Sequence, residues 1–383
     1  MEKSSNHIIV IAGEDSGDLH GALLVSALKK LRPDLEFSGL GGPKMQSAGV
    51  KLYYDFTKLA VMGFVEILKH YSEFKRIFDF ILKQIKTVQP VAVILIDYPG
   101  FNLRIAKKLK SYNTKVIYYI SPQVWAWKKN RVFTIKENVD RMLVFFQFEK
   151  EFYARYGIDV DFVGHPLIDT VSVNTHKEKV LSRVDFLDYK MTIGLLPGSR
   201  KQEVERHLPV MLETAQILRQ EFPMIQFLLI KAPSIPRSTL KTMTDKLSFK
   251  IPIMEENVYD AIGACDLCLV TSGTATLETA ILGKPMVVMY KTSWSTWMLA
   301  KMVVKIPHIS LVNIVAQKEI VPEFIQDQAN APAMAKALKD IFTDEIKIAT
   351  MKDQLRIVSE SLGTSPASFR AAEAVIKAIE TKS

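Results

Sequence analysis

Three stretches of this chain carry residues whose type and spacing suit chemistry. In VAVILIDYPGFN, Asp97 follows the apolar run 91–96, and Asn102 lies five residues further on. A carboxylate held at a strand end, partly out of water, has a raised pKa and can act as a general base. In LLPGSRKQEVERHL, a strand ends at Pro197, Gly198 and Ser199, and Arg200 opens a helix. Free backbone N–H groups and the helix dipole favour an anion there, and the guanidinium adds a charged fork. The stretch lacks the Lys-Ser/Thr pair of a Walker loop, which argues against ATP hydrolysis. In LVTSGTATLETAILGKP, Ser272, Gly273 and Thr274 turn a second strand into a helix, and Thr274 and Glu278 share one face of it. Small residues followed by a carboxylate suit a nucleotide sugar, with turn N–H groups for phosphates and Glu278 for a ribose diol. Each stretch also reads as an ordinary turn with a cap or a surface carboxylate.

Two further loops are less specific. IVIAGEDSGDLHGALL passes from a strand through a glycine-bearing loop into a helix, yet carries Glu14, Asp15 and Asp18 around Ser16 and Gly17. Three carboxylates make a poor phosphate cradle and suit sugar hydroxyls, helix capping or neighbouring basic side chains. YYISPQVWAWKKNR gathers Ser121, Gln123, Trp125, Trp127 and three basic residues; its tryptophans suit sugar stacking, acyl chains or packing between domains. Cys265 and Cys268 form a CxxC that runs from a helix end into a strand and reads as two buried thiols.

The elements that must position these loops alternate. Near-continuous apolar strands fall at 7–13, 37–42, 91–100, 115–122, 141–146, 160–166, 191–199, 225–232, 267–273 and 285–290, with helices between many of them. That pattern means parallel sheets covered on both faces. The fold class is α/β, two doubly wound domains facing a cleft. The boundaries are 1–170 for the first domain, 171–190 for a linker, 191–345 for the second domain and 346–383 for C-terminal helices that can pack back on the first domain. Ligands bind outside the carboxyl ends of such strands, where all these loops lie.

Composition narrows the partners. Of 383 residues, 48% are hydrophobic and 24% charged, which supports two cores. No apolar run approaches the roughly 20 residues that span a bilayer, and the start of the sequence shows no signal peptide, so a cytoplasmic location is expected. The formal charge is +9, and 69–141 holds 15 Lys and Arg against 5 Asp and Glu. No nucleic-acid module accompanies this excess. Apolar residues flanked by lysines at 59–86 and 292–311 suit an interfacial helix on a membrane surface, or a buried core.

Taken together, AGEDSGDLHGA, GGPKM, VMGFVEIL, IDYPGFN, YYISPQVWAWKKNR, VGHPL, LPGSRKQEV, TSGTATLE and SLVNIVAQKEIVPEFIQ, in this order, resemble the lipid-A-disaccharide synthases. These are inverting glycosyltransferases of the two-domain B-type fold. The resemblance implies a UDP-linked 2,3-diacylglucosamine donor, a 2,3-diacylglucosamine 1-phosphate acceptor, and a β-1′,6-linked disaccharide 1-phosphate plus UDP as products. It implies no metal and no other cofactor, and a peripheral place on the cytoplasmic surface of the inner membrane, with a homodimer as an open option. Carried over by motif, Asp97 is the base and Arg200 neutralises the diphosphate. Gly198, Ser199, Ser272, Gly273, Thr274, Glu278, Asn313 and Gln317 hold the donor. Ser16, Gly17, Met62, Asn102 and Gln123 line the acceptor side. Asp15 stands where the family pattern has a small residue. Other readings are an epimerase of UDP-N-acetylglucosamine, a muramyl-lipid glycosyltransferase, or a non-catalytic nucleotide-sugar-binding membrane protein.

Overall fold

The computed structural model describes residues 6–56, 71–112, 114–184, 190–303 and 306–381. The chain divides into two compact units, Met1–Asp169 with Leu362–Ser383, and Thr170–Ser361. In the first unit, β1 (His7–Ala12), β2 (Glu36–Gly41), β3 (Lys51–Asp55), β4 (Ala92–Ile96), β5 (Lys115–Tyr119), β6 (Arg141–Val144) and β7 (Val160–Phe162) form one sheet, ordered β3-β2-β1-β4-β5-β6-β7. In the second, β8 (Met191–Leu196), β9 (Ile225–Ile230), β10 (Ile253–Met254), β11 (Leu267–Thr271), β12 (Met286–Tyr290) and β13 (Glu323–Ile325) are ordered β10-β9-β8-β11-β12-β13. The described pairings are all parallel. Parallel neighbours need long crossovers, and helices supply them. Central strands covered on both faces have no solvent side, so Ile8 to Ala12 and Ala92 to Ile96 are wholly buried.

Strand order reverses between β1 and β4 in one sheet and between β8 and β11 in the other. The loops that leave these strands part to opposite faces and open a crevice at each reversal. In the first unit those loops are 13–18 and 97–102. In the second they are 197–200 and 272–274.

β3, β10 and β13 are the strands that hydrophobic patterning does not predict. All three lie at sheet ends. An edge strand is short and half-covered, so it carries no continuous apolar run.

The two units share the chain unevenly. The helix Glu345–Ser361 packs in the second unit against the helices Ala275–Ile281 and Ala331–Phe342. Of the expected C-terminal helices, the last, Ala367–Glu380, packs in the first unit against the helix Asp15–Leu31. Its start is capped by Asp169, whose carboxylate accepts the Ala367 N–H at 3.0 Å. The Arg370 Nε donates to the Val163 carbonyl at 3.0 Å. Much of the stretch expected as a linker is folded onto the second unit. Asp260 accepts the N–H groups of Asn174 and Thr175 at 2.6 and 3.1 Å, and Lys177 pairs with Asp266. Among the described residues, no helix is long and apolar enough to cross a membrane.

Candidate active site

Asp97 is the first residue after β4, and its backbone is forced. Asp97 and Tyr98 both have left-handed φ, +44° and +45°, a conformation that costs a non-glycine residue roughly 1–2 kcal/mol. Four hydrogen bonds hold it. The Asp97 N–H donates to the Tyr119 carbonyl at 3.1 Å, and the Tyr118 hydroxyl donates to the Asp97 carbonyl at 2.6 Å. The buried Asn102 donates its Nδ2 to the carbonyls of Ile96 and Asp97 at 3.1 and 2.8 Å. The Tyr98 ring is wedged between the core and the first loop. It meets Phe56 edge-on at 5.6 Å, and a Cβ on Gly13 would lie 2.4 Å from its Cγ. Gly13 thus permits the two loops at this reversal to touch. Burial pushes the Asp97 carboxyl up to about 6; the Glu14 charge adds to the rise, and a hydrogen bond from the Tyr98 N–H opposes it.

The three carboxylates of the first loop divide their work. Asp18 is buried and accepts the N–H groups of Gly42, Lys44 and Met45 at 2.8, 3.0 and 3.0 Å, capping the short helix Pro43–Ser47. Glu14 acts on Asp97 through its charge. Asp15 and Ser16 are exposed in the first turn of Asp15–Leu31, and Gly17 is buried beside Ala12. Gln123 is exposed. Its loop is pinned by Glu149, which accepts from the Trp125 Nε1 at 3.3 Å and the Phe146 N–H at 3.1 Å. Met62 lies outside the described residues.

In the second unit, the turn after β8 already holds an anion of its own. The N–H groups of Ser199 and Arg200 both donate to Glu203 Oε2, at 3.0 and 3.2 Å, and the Arg200 guanidinium lies 3.4 Å from Oε1. Gly198, with φ +115°, makes room: a Cβ there would lie 2.7 Å from Glu203 Oε2. The Arg200 side chain is 81% exposed, so an incoming anion meets the guanidinium first. Glu203 is the partner of this turn that the sequence alone does not single out. Its spacing of three from Arg200 is the capping-box signal.

Across the second reversal, Gly273 is open, with no atom within 4 Å of where a Cβ would stand, and Thr274 is exposed at the start of the helix Ala275–Ile281. The Ser272 hydroxyl donates to the Ile309 carbonyl at 2.9 Å. Burial raises the Glu278 carboxyl above its usual range. Asn313 has no polar atom left over. Its Nδ2 donates to the Val321 carbonyl and to Glu323 at 2.9 and 2.8 Å, while its Oδ1 accepts from Ile320 and Val321 at 2.8 and 3.1 Å. Through Glu323 it is tied to the segment around Ile309, which Ser272 also holds. Gln317 is exposed at the end of the helix Leu311–Ala316, with φ +55°.

A family model described as lipid-A-disaccharide synthetase matches residues 8–378. The protein named lipid-A-disaccharide synthase in Geobacter sulfurreducens is 41% identical over 376 residues, 98% of each chain. The chain belongs to the lipid-A-disaccharide synthase family. Lipid-A-disaccharide synthase 1 of Legionella pneumophila is 37% identical over 380 residues, 99% of each chain. Solved structures extend the likeness in fold alone. The UDP-GlcNAc 2-epimerase of Neisseria meningitidis, solved with UDP-GlcNAc, has a TM-score of 0.61 at 13% identity over 97% of this chain and all of its own. The calicheamicin glycosyltransferase CalG4 has a TM-score of 0.60 at 14% identity over 99% of both. Membership of the lipid-A-disaccharide synthase family, rather than the shared fold, separates this chain from the epimerase reading.

Proposed function

We propose that this lipid-A-disaccharide synthase family member joins UDP-2,3-diacylglucosamine to 2,3-diacylglucosamine 1-phosphate, giving the β-1′,6-linked disaccharide 1-phosphate and UDP. The observation that carries the mechanism is Asp97: a half-buried carboxyl on an over-determined backbone, with its pKa raised to about 6. Near neutral pH it is ionised yet basic enough to accept a proton. The acceptor 6-hydroxyl oxygen attacks the donor anomeric carbon. Asp97 takes the hydroxyl proton, and the bond to UDP breaks with its electrons going to the diphosphate. Attack from the face opposite the leaving group inverts the centre. Arg200 meets the charge that develops on the diphosphate, together with the open turn at Gly273 and Thr274, so that the chain itself supplies the compensation. Glu278 holds the ribose.

Both lipid substrates carry acyl chains, so the enzyme works at the cytoplasmic surface of the inner membrane. Support comes from the helix Trp294–Val303, where Trp294 is 73% and Met298 40% exposed, and from the basic excess at 69–141. Exposed apolar side chains on a helix and a basic surface each favour anionic bilayers without spanning them.

The experiment is to incubate the purified protein with the two diacylated substrates and follow disaccharide and UDP by mass spectrometry. Formation of both is expected; neither forming removes the proposal. Arg200→Ala should weaken UDP binding by about 10-fold or more; unchanged affinity removes Arg200 from the diphosphate. Binding to anionic vesicles should weaken as salt rises, and salt-independent binding would leave only the apolar helix as the contact.

A further inference from the structure

One histidine lies beneath the second unit's strand-end loops and touches three of them. His207 belongs to the helix Lys201–Glu221 and is fully buried. Its Nδ1 is 3.2 Å from the carbonyl of Pro197, the residue after β8, before Gly198. The same nitrogen is 3.2 Å from the hydroxyl of Thr271, the last residue of β11, before Ser272. Its Nε2 is 2.8 Å from the N–H of Lys291, the residue after β12. The ring also lies 5.6 Å from that of Tyr290.

Both neutral tautomers find partners. With the proton on Nδ1, the Pro197 carbonyl receives it and Nε2 accepts the Lys291 N–H; with the proton on Nε2, the Lys291 carbonyl at 3.1 Å receives it and Nδ1 accepts from the Thr271 hydroxyl. The ring is neutral, and burial favours that state. Nδ1 meets both the Pro197 and the Thr271 sides at one point, and Nε2, across a rigid ring, ties that point to Lys291. No aliphatic side chain offers a polar atom at either place.

We propose that His207 is a positioning residue for the nucleotide diphosphate: it fixes the spacing between the turns that carry Gly198–Arg200 and Ser272–Thr274. This rests on the reading that the second unit holds the nucleotide. A diphosphate engaging two loops needs them at one separation, and a misplacement of about 1 Å costs on the order of 10²-fold in a catalysed step. His207 meets each loop at the residue just before its anion-facing turn, so a shift of the ring moves both turns. It does not touch the substrate.

The test compares wild type, His207→Leu and His207→Gln by calorimetric UDP titration, steady-state kinetics with both substrates, and thermal unfolding. Leu fills the space and bridges nothing. We expect UDP affinity and donor KM to worsen about 10-fold or more in the Leu variant, with acceptor KM unchanged. Gln has a donor and an acceptor end but not the ring's span, so it should fall between Leu and wild type. Should the Leu variant not fold, Gln against wild type decides: a rise confined to donor KM supports the role, and an unchanged donor KM overturns it. A folded Leu variant with wild-type UDP affinity overturns it. So does an equal loss for donor and acceptor, which marks general support of the fold. Wild-type protein that binds no UDP overturns the nucleotide reading and this inference with it; wild-type binding undiminished in both variants overturns only His207.

Discussion

Asp97 is a carboxyl whose surroundings oppose its charge, and that has consequences for both turnover and stability. Asp97→Asn keeps the shape and removes the proposed base, so turnover should drop by about 10²-fold or more, measured as UDP released per second. The same change should stabilise the protein at neutral pH. The folded chain binds this proton more tightly than the unfolded one: the carboxyl titrates at about 6 when folded against an ordinary 3.8. Ionisation therefore removes stability as pH rises between those values, and the loss is complete above about 6. The melting temperature of Asp97→Asn should exceed wild type at pH 7, and the difference should vanish below about pH 4. Activity has the opposite slope. The acidic limb of the kcat/KM profile should fall near pH 6, where Asp97 takes up its proton. Glu14→Gln removes a charge that raises that value and should move the limb to lower pH. A limb that stays in place would remove Glu14 from the role.

At the scale of elements, the segment between β12 and β13 is tied by polar side chains. Glu323 accepts the N–H groups of Ile309 and Ser310 at 2.9 and 3.0 Å, and Asn313 joins it to Ile320 and Val321. Asn313→Asp keeps acceptors for Ile320 and Val321 but sets a carboxylate against Glu323. Like charges at that distance disfavour ionisation. Its melting temperature should fall below wild type, and by more at pH 8 than at pH 5; a pH-independent difference would mean that the Glu323 contact is unimportant. Such pairings also show what the sequence can and cannot tell. Asp97, Arg200 and Glu278 are legible because each follows an apolar strand, and a parallel sheet leaves little choice about where a strand's end points. The two sheets are legible for the same reason in their buried centres, and not at β3, β10 and β13, where edge strands need no apolar run. Asn313 is legible as a residue of its motif but not as a latch, because its partners at Val321 and Glu323 are brought to it by folding. His207 is a polar residue inside a helix whose other buried positions are mostly apolar, and no local pattern says which loops it will reach.

At the scale of the molecule, the first unit is assembled from two pieces of chain and the second from one. The last helix covers Asp15–Leu31 with Ala371, Ala372 and Val375 buried. Ending the chain after Ser361 removes this cover and the Arg370 tie to Val163, yet leaves the second unit whole. Calorimetry should then show one transition near its original temperature and another lowered or lost. A single unchanged pair of transitions would show that the first unit is complete without its last helix. The same discontinuity sets an order in time. The ribosome finishes residues 1–169 early, but the residues that complete their unit come after 192 others have been made. At about 5–20 residues per second, that is a wait of roughly 10–40 s. The second unit can close as it emerges, while the first must remain open at one face until residues 362–383 have been made, so a nascent chain offers the Asp15–Leu31 helix to chaperones long before its proper partner exists.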